Sequence, residues 1–371
     1  MQTTVFIRRN GIQALKDLGI SVFEYPDRWV LDYDTVLSRP LKYHPVVREC
    51  RGLVLDKSLQ VLCRSFDRFF NYGEDPQSAL FDFSSSIAEE KPDGSLVNFY
   101  HDGEAWHCAT RGAAFAEKEI WGSGGKTFLN LVESALGQHV ALALKRADAR
   151  FTYAFELVSP HNRVVIPYDR EELIALTARD RHTGEESPDA VGELAKRIGA
   201  RRLKQTQFSS LDEARNSFVV SDQLQEGYVF RNGNWRIKVK DPAYVALSHF
   251  RPNGHLPVRN MLKLVLRGEA AEHLVYFPED SRLVGPYDAA FRRVLADVEK
   301  AMKRHKGCPS RVEFARAVED LPCSGVVFMV YDGKTFTEAV QNLTLPGFRR
   351  LLEHYMELDG VKPPAEYAGV A

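Results

Sequence analysis

Cysteine is scarce in this chain: Cys50, Cys63, Cys108, Cys308 and Cys323 lie far apart, and no CxxC pair occurs. That excludes a disulfide framework and a zinc module built on paired cysteines, and makes a reducing compartment the expectation. No apolar run reaches the roughly 18 residues of a spanning helix. The N-terminal stretch MQTTVFIRRN lacks the apolar block of a signal peptide. Neither sign of charge is in excess: 49 Lys and Arg stand against 50 Asp and Glu. No whole-chain field then draws the protein to nucleic acid or anionic lipid, so any polyanion site must be a local cluster. No period of about 20–50 residues recurs, which excludes a solenoid.

What is present is ordinary in bulk. The 371 residues are 44% apolar and 27% charged, enough for two or three domains whose cores need no staples. GIQALKDLGI (11–20) reads as a short helix. From 28 to 115 the chain reads mostly as strands. SLVNFY-HDG-EAWHCATRG predicts a hairpin turning at Asp102-Gly103. RFTYAFELVSP (150–160) and RVVIPY (163–168) read as strands parted at Ser159-Pro160. Helices are expected at 127–136, after Ser187-Pro188, and after Ser210, whose pairing with Glu213 has the form of a capping box. EGYVFRNGNWRIKVK (226–240) predicts a second hairpin, at Asn232-Gly233. Beyond 243 helical spacing takes over, with Tyr287, Phe291, Val294, Leu295, Val298 and Met302 on one face. Two domains follow: a β-rich one with helices over 1–243 and a helical one over 244–371.

The chemistry gathers around Lys91-Pro92-Asp93-Gly94-Ser95. Proline and Asp-Gly favour a tight turn, and Gly94 lets a ligand approach the backbone. Lys91 is thus held at a strand end. A free lysine has a pKa of ~10.4, and bringing it near 7 takes roughly 4–5 kcal/mol of differential interaction. Burial and nearby cations supply such a shift. Cations are at hand: Arg51 before Gly52, Arg68 among aromatics in FDRFFNYGED, Arg111 in ATRG, and Lys238 and Lys240 on one face of WRIKVKD. Same-face lysines repel unless an anion lies between them, and a triphosphate is such an anion. Glu156 lies among apolar residues, and Glu226 opens a strand. Taken singly, each has a plain structural reading: a surface ion pair, an edge carboxylate, a solvated face.

Taken in order, Arg51-Gly52, Lys91-x-Asp93-Gly94, Phe155-Glu156, Glu226-Gly227-Tyr228-Val229 and Lys238-x-Lys240 resemble the covalent nucleotidyltransferases. ECRG, DRFFN, KPDGSLV, FELVSPHNRVV and EGYV through KVKD resemble the RNA ligase 1 family, the T-even phage type that repairs cleaved tRNA. The resemblance covers about residues 30–250 and extends more weakly beyond. It implies an α+β fold: a nucleotidyltransferase domain of antiparallel sheets flanked by helices, then an all-helical C-terminal domain. It implies an ATP-dependent RNA ligase that joins 5′-phosphate and 3′-hydroxyl ends through lysyl-AMP and adenylylated RNA. Lys91 would be the nucleophile. Glu156 and Glu226 would organise the nucleotide and Mg2+ or Mn2+. Arg51, Lys238 and Lys240 would hold phosphates, Phe70 would flank the adenine, and Tyr33 would lie near the nucleotide. The cationic ring would lower the Lys91 pKa. Arg68 and Arg111 stand where the family pattern has lysines, so charge is kept and geometry changes.

Further implications are RNA as partner, a cleaved tRNA anticodon loop being the candidate, with an end-healing kinase-phosphatase acting beforehand. A monomer without membrane contact is expected, in the cytoplasm or, if phage-encoded, the host cytoplasm. The competing readings are a catalytically inactive RNA-end-binding protein and a capping-type or DNA ligase-type enzyme. Both enzyme types usually carry a small β-barrel where helices are expected here. WGSGGKTF (121–128) imitates a phosphate loop, but Ile120 stands where its first glycine belongs. His101, His107 and Cys108 lack a fourth metal ligand at sensible spacing. GARRLKQTQ (199–207) reads first as a solvated basic face. In 251–316, 13 Lys or Arg stand against 8 Asp or Glu, a modest excess.

Overall fold

Alternating apolar and polar residues set out the strands of a computed structural model, which describes residues 1–364 except 36, 121, 122, 222, 252, 253, 306 and 309. In chain order these are β1 (Ile20–Glu24), β2 (Arg28–Tyr33), β3 (Arg51–Asp56), β4 (Val61–Cys63), β5 (Phe70–Asn71), β6 (Ile87–Glu90) and β7 (Ser95–His101). There follow β8 (Trp106–Thr110), β9 (Phe151–Val158), β10 (Glu172–Asp180), β11 (Arg201–Arg202), β12 (Gln205–Thr206), β13 (Gly227–Asn232) and β14 (Trp235–Lys240). They form three sheets, ordered β1-β2-β3-β4, β11-β10-β9-β7-β8 and β12-β6-β13-β14-β5. Pairing is antiparallel except at two short edges, β10 with β11 and β14 with β5. The fold class is α+β, with helices on the sheets and a helical region after them.

The helix Phe128–Leu136 starts at a capping box of Thr127 and Asn130, and Pro188–Ile198 is capped by Ser187. Both pack on the second sheet around Val97, Phe99, Phe155 and Leu157. The helix Leu211–Val220 covers the third sheet through Phe218, against Ala88, Phe230 and Ile237. Its cap differs in one bond from the capping box: Ser210 accepts from Glu213 N–H, but the Glu213 carboxylate turns back to Ser209.

Four local readings change. Residues 163–168 form no strand, because Val165 and Ile166 donate their N–H groups to the Asp93 carboxylate instead of a ladder. Glu172–Asp180, which carries little outward sign of a strand, is β10 and pairs along all of β9. Residues 11–20 hold a 3-10 helix, Ile12–Leu18, after an additional helix Gln2–Asn10. The second hairpin closes one residue later than expected, since Asn232 pairs with Trp235 and Gly233, at φ 56°, lies in the loop.

The chain divides into two compact units, residues 1–248 and 249–371. The second is helical. Its long helix Ser281–Arg304 buries Tyr287, Val294 and Val298, and the last described helix, Leu345–Leu358, buries Phe348, Leu352 and Tyr355. Among the described residues no helix is long and apolar enough to cross a membrane.

Candidate active site

The third sheet turns one face into its core and the other toward Lys91. Ala88, Phe230, Ile237 and Val239 are buried on the core side. The opposite face carries cross-strand rows. Lys91, just past β6, donates its N–H to the Gly227 carbonyl, and Gly227 pairs with Lys240. Glu89 pairs with Val229, which pairs with Lys238. Register thus brings Lys91, Lys238 and Lys240 together although some 150 residues intervene.

Glu226 joins them. Its Oε2 lies 2.7 Å from Lys91 Nζ and its Oε1 2.9 Å from Lys240 Nζ. Gly227 behind it needs to be glycine: its φ is 134°, and a Cβ would meet the Val239 carbonyl at 2.2 Å. Glu156, on β9, accepts a hydrogen bond from Gly94 N–H at 3.1 Å. Burial pushes its carboxyl up to about 7; Lys91 opposes that shift and Glu226 adds to it.

The cationic ring does not do to Lys91 what the sequence suggested. Burial alone would lower the Lys91 pKa, but Glu226 and then Glu156 outweigh it and hold the ammonium above its ordinary value. Lys238 is the depressed amine. Burial, then Arg51, Lys91 and Lys240, pull it down to about 7. Arg51 lies over the Phe69 ring at 4.9 Å, and its Nε and Nη1 are buried without a hydrogen-bond partner. Such orphaned donors are costly unless an anion arrives. A cavity of about 210 Å³ joins these groups. Leu96, Leu176, Leu203 and Val229 line it as well. Leu176 falls at a register shift in β10, where a bulge re-aims a side chain.

Asp93 serves the site from below. Its Oδ2 accepts from Val165 and Ile166 N–H, both at 2.7 Å, and its Oδ1 from the Tyr244 hydroxyl at 2.6 Å. Gly94 has a structural duty too: a Cβ there would sit 2.3 Å from the Leu157 carbonyl. The close neighbour of Gly94 is therefore strand β9.

A second cavity, of about 500 Å³, adjoins the first and shares Phe69 and Lys238 with it. Tyr33, Arg68 and Phe70 line this one instead of the Lys91 cavity. Arg68 and Arg111 lie on the Tyr33 ring at 4.1 and 4.7 Å, and Arg111 also grips Asp32 at 2.9 Å. Phe66 and Phe69, which the sequence did not single out, line the Lys91 cavity. Phe69 lies just before β5 and borders both cavities, whereas Phe70, which opens β5, borders only the second of the two. Phe69, Leu176 and Tyr244 were missed by sequence reasoning, and only the aromatic run around Arg68 hinted at the first.

The glycine-rich decoy begins at Trp121 and Gly122, which lie outside the described residues. Its Lys126 is 2.9 Å from His161 Nε2. His107 binds Asp102 at 2.6 Å, Cys108 is buried, and Arg201 of the basic run pairs with Glu90. Among the described residues no three His, Cys, Asp or Glu side chains gather as a metal cluster.

A family model described as RNA ligase matches residues 49–244. The chain is 33% identical over 303 residues to a protein of Autographa californica nuclear polyhedrosis virus, named a candidate bifunctional polynucleotide kinase/RNA ligase. That match covers 76% of this chain and 42% of the relative. It is 28% identical over 200 residues to the RNA ligase of Rhodothermus phage RM378, covering 46% of this chain and 45% of the relative. The chain thus spans less than half the length of either curated relative. Among solved structures, an archaeal ATP-dependent RNA ligase aligns over 97% of this chain and 90% of its own, with 12% identity and a TM-score of 0.45.

Proposed function

The chain belongs to the RNA ligase family, and on that footing we propose that it is an ATP-dependent RNA ligase working through lysyl-AMP. The observation that carries the reading is the seat of Lys91: an amine bridged by Glu226 to Lys240, in a cavity whose Arg51 and Lys238 form no ion pair among the described residues. An anion would satisfy those two cations, and a triphosphate brings one.

In this reading the Lys91 ammonium first gives up its proton, which requires loosening its pair with Glu226. The Nζ lone pair then attacks the α-phosphorus of ATP. A P–N bond forms, the bond from that phosphorus to the bridging oxygen breaks, and the electron pair leaves with diphosphate. Arg51, Lys238 and Lys240 hold the phosphates and offset charge that grows in the transition state. AMP then passes to a 5′-phosphate on RNA, and a 3′-hydroxyl displaces it to seal the strand.

Glu156 and Glu226 are hard oxygen donors whose mutual repulsion a divalent ion would relieve, so the pair suits Mg2+ or Mn2+. When bound, such an ion would supply charge neutralisation at the phosphates. Tyr33, Arg68, Phe70 and Arg111 belong, in this reading, to the phosphate side of the nucleotide, and Phe69 to the side facing Lys91. RNA ends must carry a 5′-phosphate and a 3′-hydroxyl. The kinase in the name of the viral relative supports an end-healing activity acting beforehand. Residues 249–371 would select the RNA, a cleaved tRNA loop being the candidate substrate.

The test is self-labelling with ATP carrying label on the α-phosphate, followed by denaturation. Label on the chain, absent in Lys91→Ala and absent with labelled GTP, is the expected result. Unlabelled wild-type protein, shown free of prior AMP, would overturn the ligase reading in favour of passive RNA-end binding.

A further inference from the structure

Taking the second cavity as the phosphate side of the nucleotide, we propose that Arg39 and Lys42 grip the departing diphosphate there. The inference rests on the ligase reading and extends it to two residues outside the nucleotide motifs. Position argues first. The cavity shares Lys238 and Phe69 with the Lys91 cavity, so a phosphate chain anchored at Lys91 can continue past Lys238 into it. Charge argues second. Arg39, Lys42, Arg68 and Lys238 line it, with Glu74 as the acid among the lining residues. Glu74 is already engaged, by Lys42 Nζ at 3.4 Å and by Asn71 N–H at 3.2 Å. No acidic partner meets Arg39 or Lys238 among the described residues. A small, highly charged anion suits such a surplus; a neutral or cationic group does not.

The segment that carries the two residues is held in place. Ser38, next to Arg39, accepts a hydrogen bond from Arg68 Nη1 at 2.9 Å. Its backbone packs on Gly19, where a Cβ would lie 2.4 Å from Ser38 N. At the other end the Tyr43 hydroxyl donates to the Glu74 carbonyl at 2.6 Å. Arg39 and Lys42 therefore project from a fixed stretch.

Inorganic diphosphate and the terminal phosphates of ATP share one chemistry, and the reverse reaction separates them. Full-length protein is first charged with labelled AMP and freed of ATP. It is then given diphosphate in one arm and 5′-phosphorylated RNA in the other. In the first arm a diphosphate oxygen attacks the phosphorus, the P–N bond breaks, ATP is regenerated and the lysine amine recovers a proton. Arg39→Ala and Lys42→Ala should each raise the diphosphate concentration for half-maximal release by about tenfold, the size of a lost charge-assisted contact. AMP transfer to RNA should fall by much less. A diphosphate requirement within about twofold of wild type would overturn the proposal. So would equal losses in both arms, which would mark a general defect. Wild-type protein that takes no AMP at all would instead sink the ligase reading beneath it. A forward arm, with ATP varied, should show a KM rise in the same two variants.

Discussion

At the scale of single residues the site is a balance of unlike charges, and its state depends on pH. Glu226 holds Lys91 protonated. Glu226→Gln removes that opposing charge while burial remains, so the Lys91 pKa should drop. An amine-directed reagent should then modify Lys91 faster at pH 8, by roughly tenfold for each unit of pKa lost. Unchanged modification would show that the pair does not control the Lys91 amine. Glu156 makes a second case. Its folded pKa, about 7, lies above the unfolded carboxyl value. Between roughly pH 4.3 and 7 the folded protein binds a proton that the unfolded chain has lost, so stability falls as pH rises through that window. Glu156→Gln abolishes this loss. It should raise Tm over wild type more at pH 8 than at pH 5, by ~2–4 °C for each kcal/mol recovered. Thermal melts at the two pH values decide it, and a gain equal at both would refute the buried, raised carboxyl. The residue types of this site were legible from order and spacing alone. Their charge states were not, because each depends on a neighbour more than 60 residues away.

At the scale of elements, the turn after β6 is held by its surroundings as much as by its own sequence. Asp93 binds two loop amides and the Tyr244 hydroxyl at the same time. Asp93→Ala would leave those buried donors orphaned, at about 1–3 kcal/mol for each group left unsatisfied. Hydrogen exchange at Val165 and Ile166 should accelerate, and the urea midpoint should fall. Tyr244→Phe should cost less and leave the two amides protected. Exchange that stays slow in Asp93→Ala would remove Asp93 from this role. Gly94→Ala should destabilise by about 1–3 kcal/mol, because its Cβ meets a strand carbonyl that cannot move aside. Both hairpins were readable, since Asp-Gly and Asn-Gly mark them locally. The segment 163–168 misled because its apolar, β-branched residues satisfy their backbone through Asp93, a partner no local pattern reveals. That Phe69 borders the Lys91 cavity was not legible either: it lies outside any strand, just before the two-residue β5, and no periodicity orients it.

At the scale of the whole molecule, each unit has its own core. The buried cluster of Met261, Tyr287, Phe314 and Phe348 lies within the second, and those around Phe155, Phe230 and Leu53 within the first. The helix Pro242–Phe250 runs across the division, so a cut at 243 would sever it. A fragment of residues 1–250 should therefore melt cooperatively and self-adenylate, while joining of a structured RNA is lost. Circular dichroism and label transfer test the two halves of that statement. A fragment that joins structured RNA as well as the full chain would deny the second unit a role in substrate choice. From the sequence by itself came the α+β class, a two-part organisation, and Lys91, Glu156, Glu226, Lys238 and Lys240 as the proposed reacting set. These depend on residue type, order and periodicity, which are local properties of the chain. Only the tertiary structure decided that Lys91 rests as an ammonium on Glu226, that Phe69 faces it, and that a second cationic cavity opens past Lys238. Those depend on register and burial, which are set where distant strands meet.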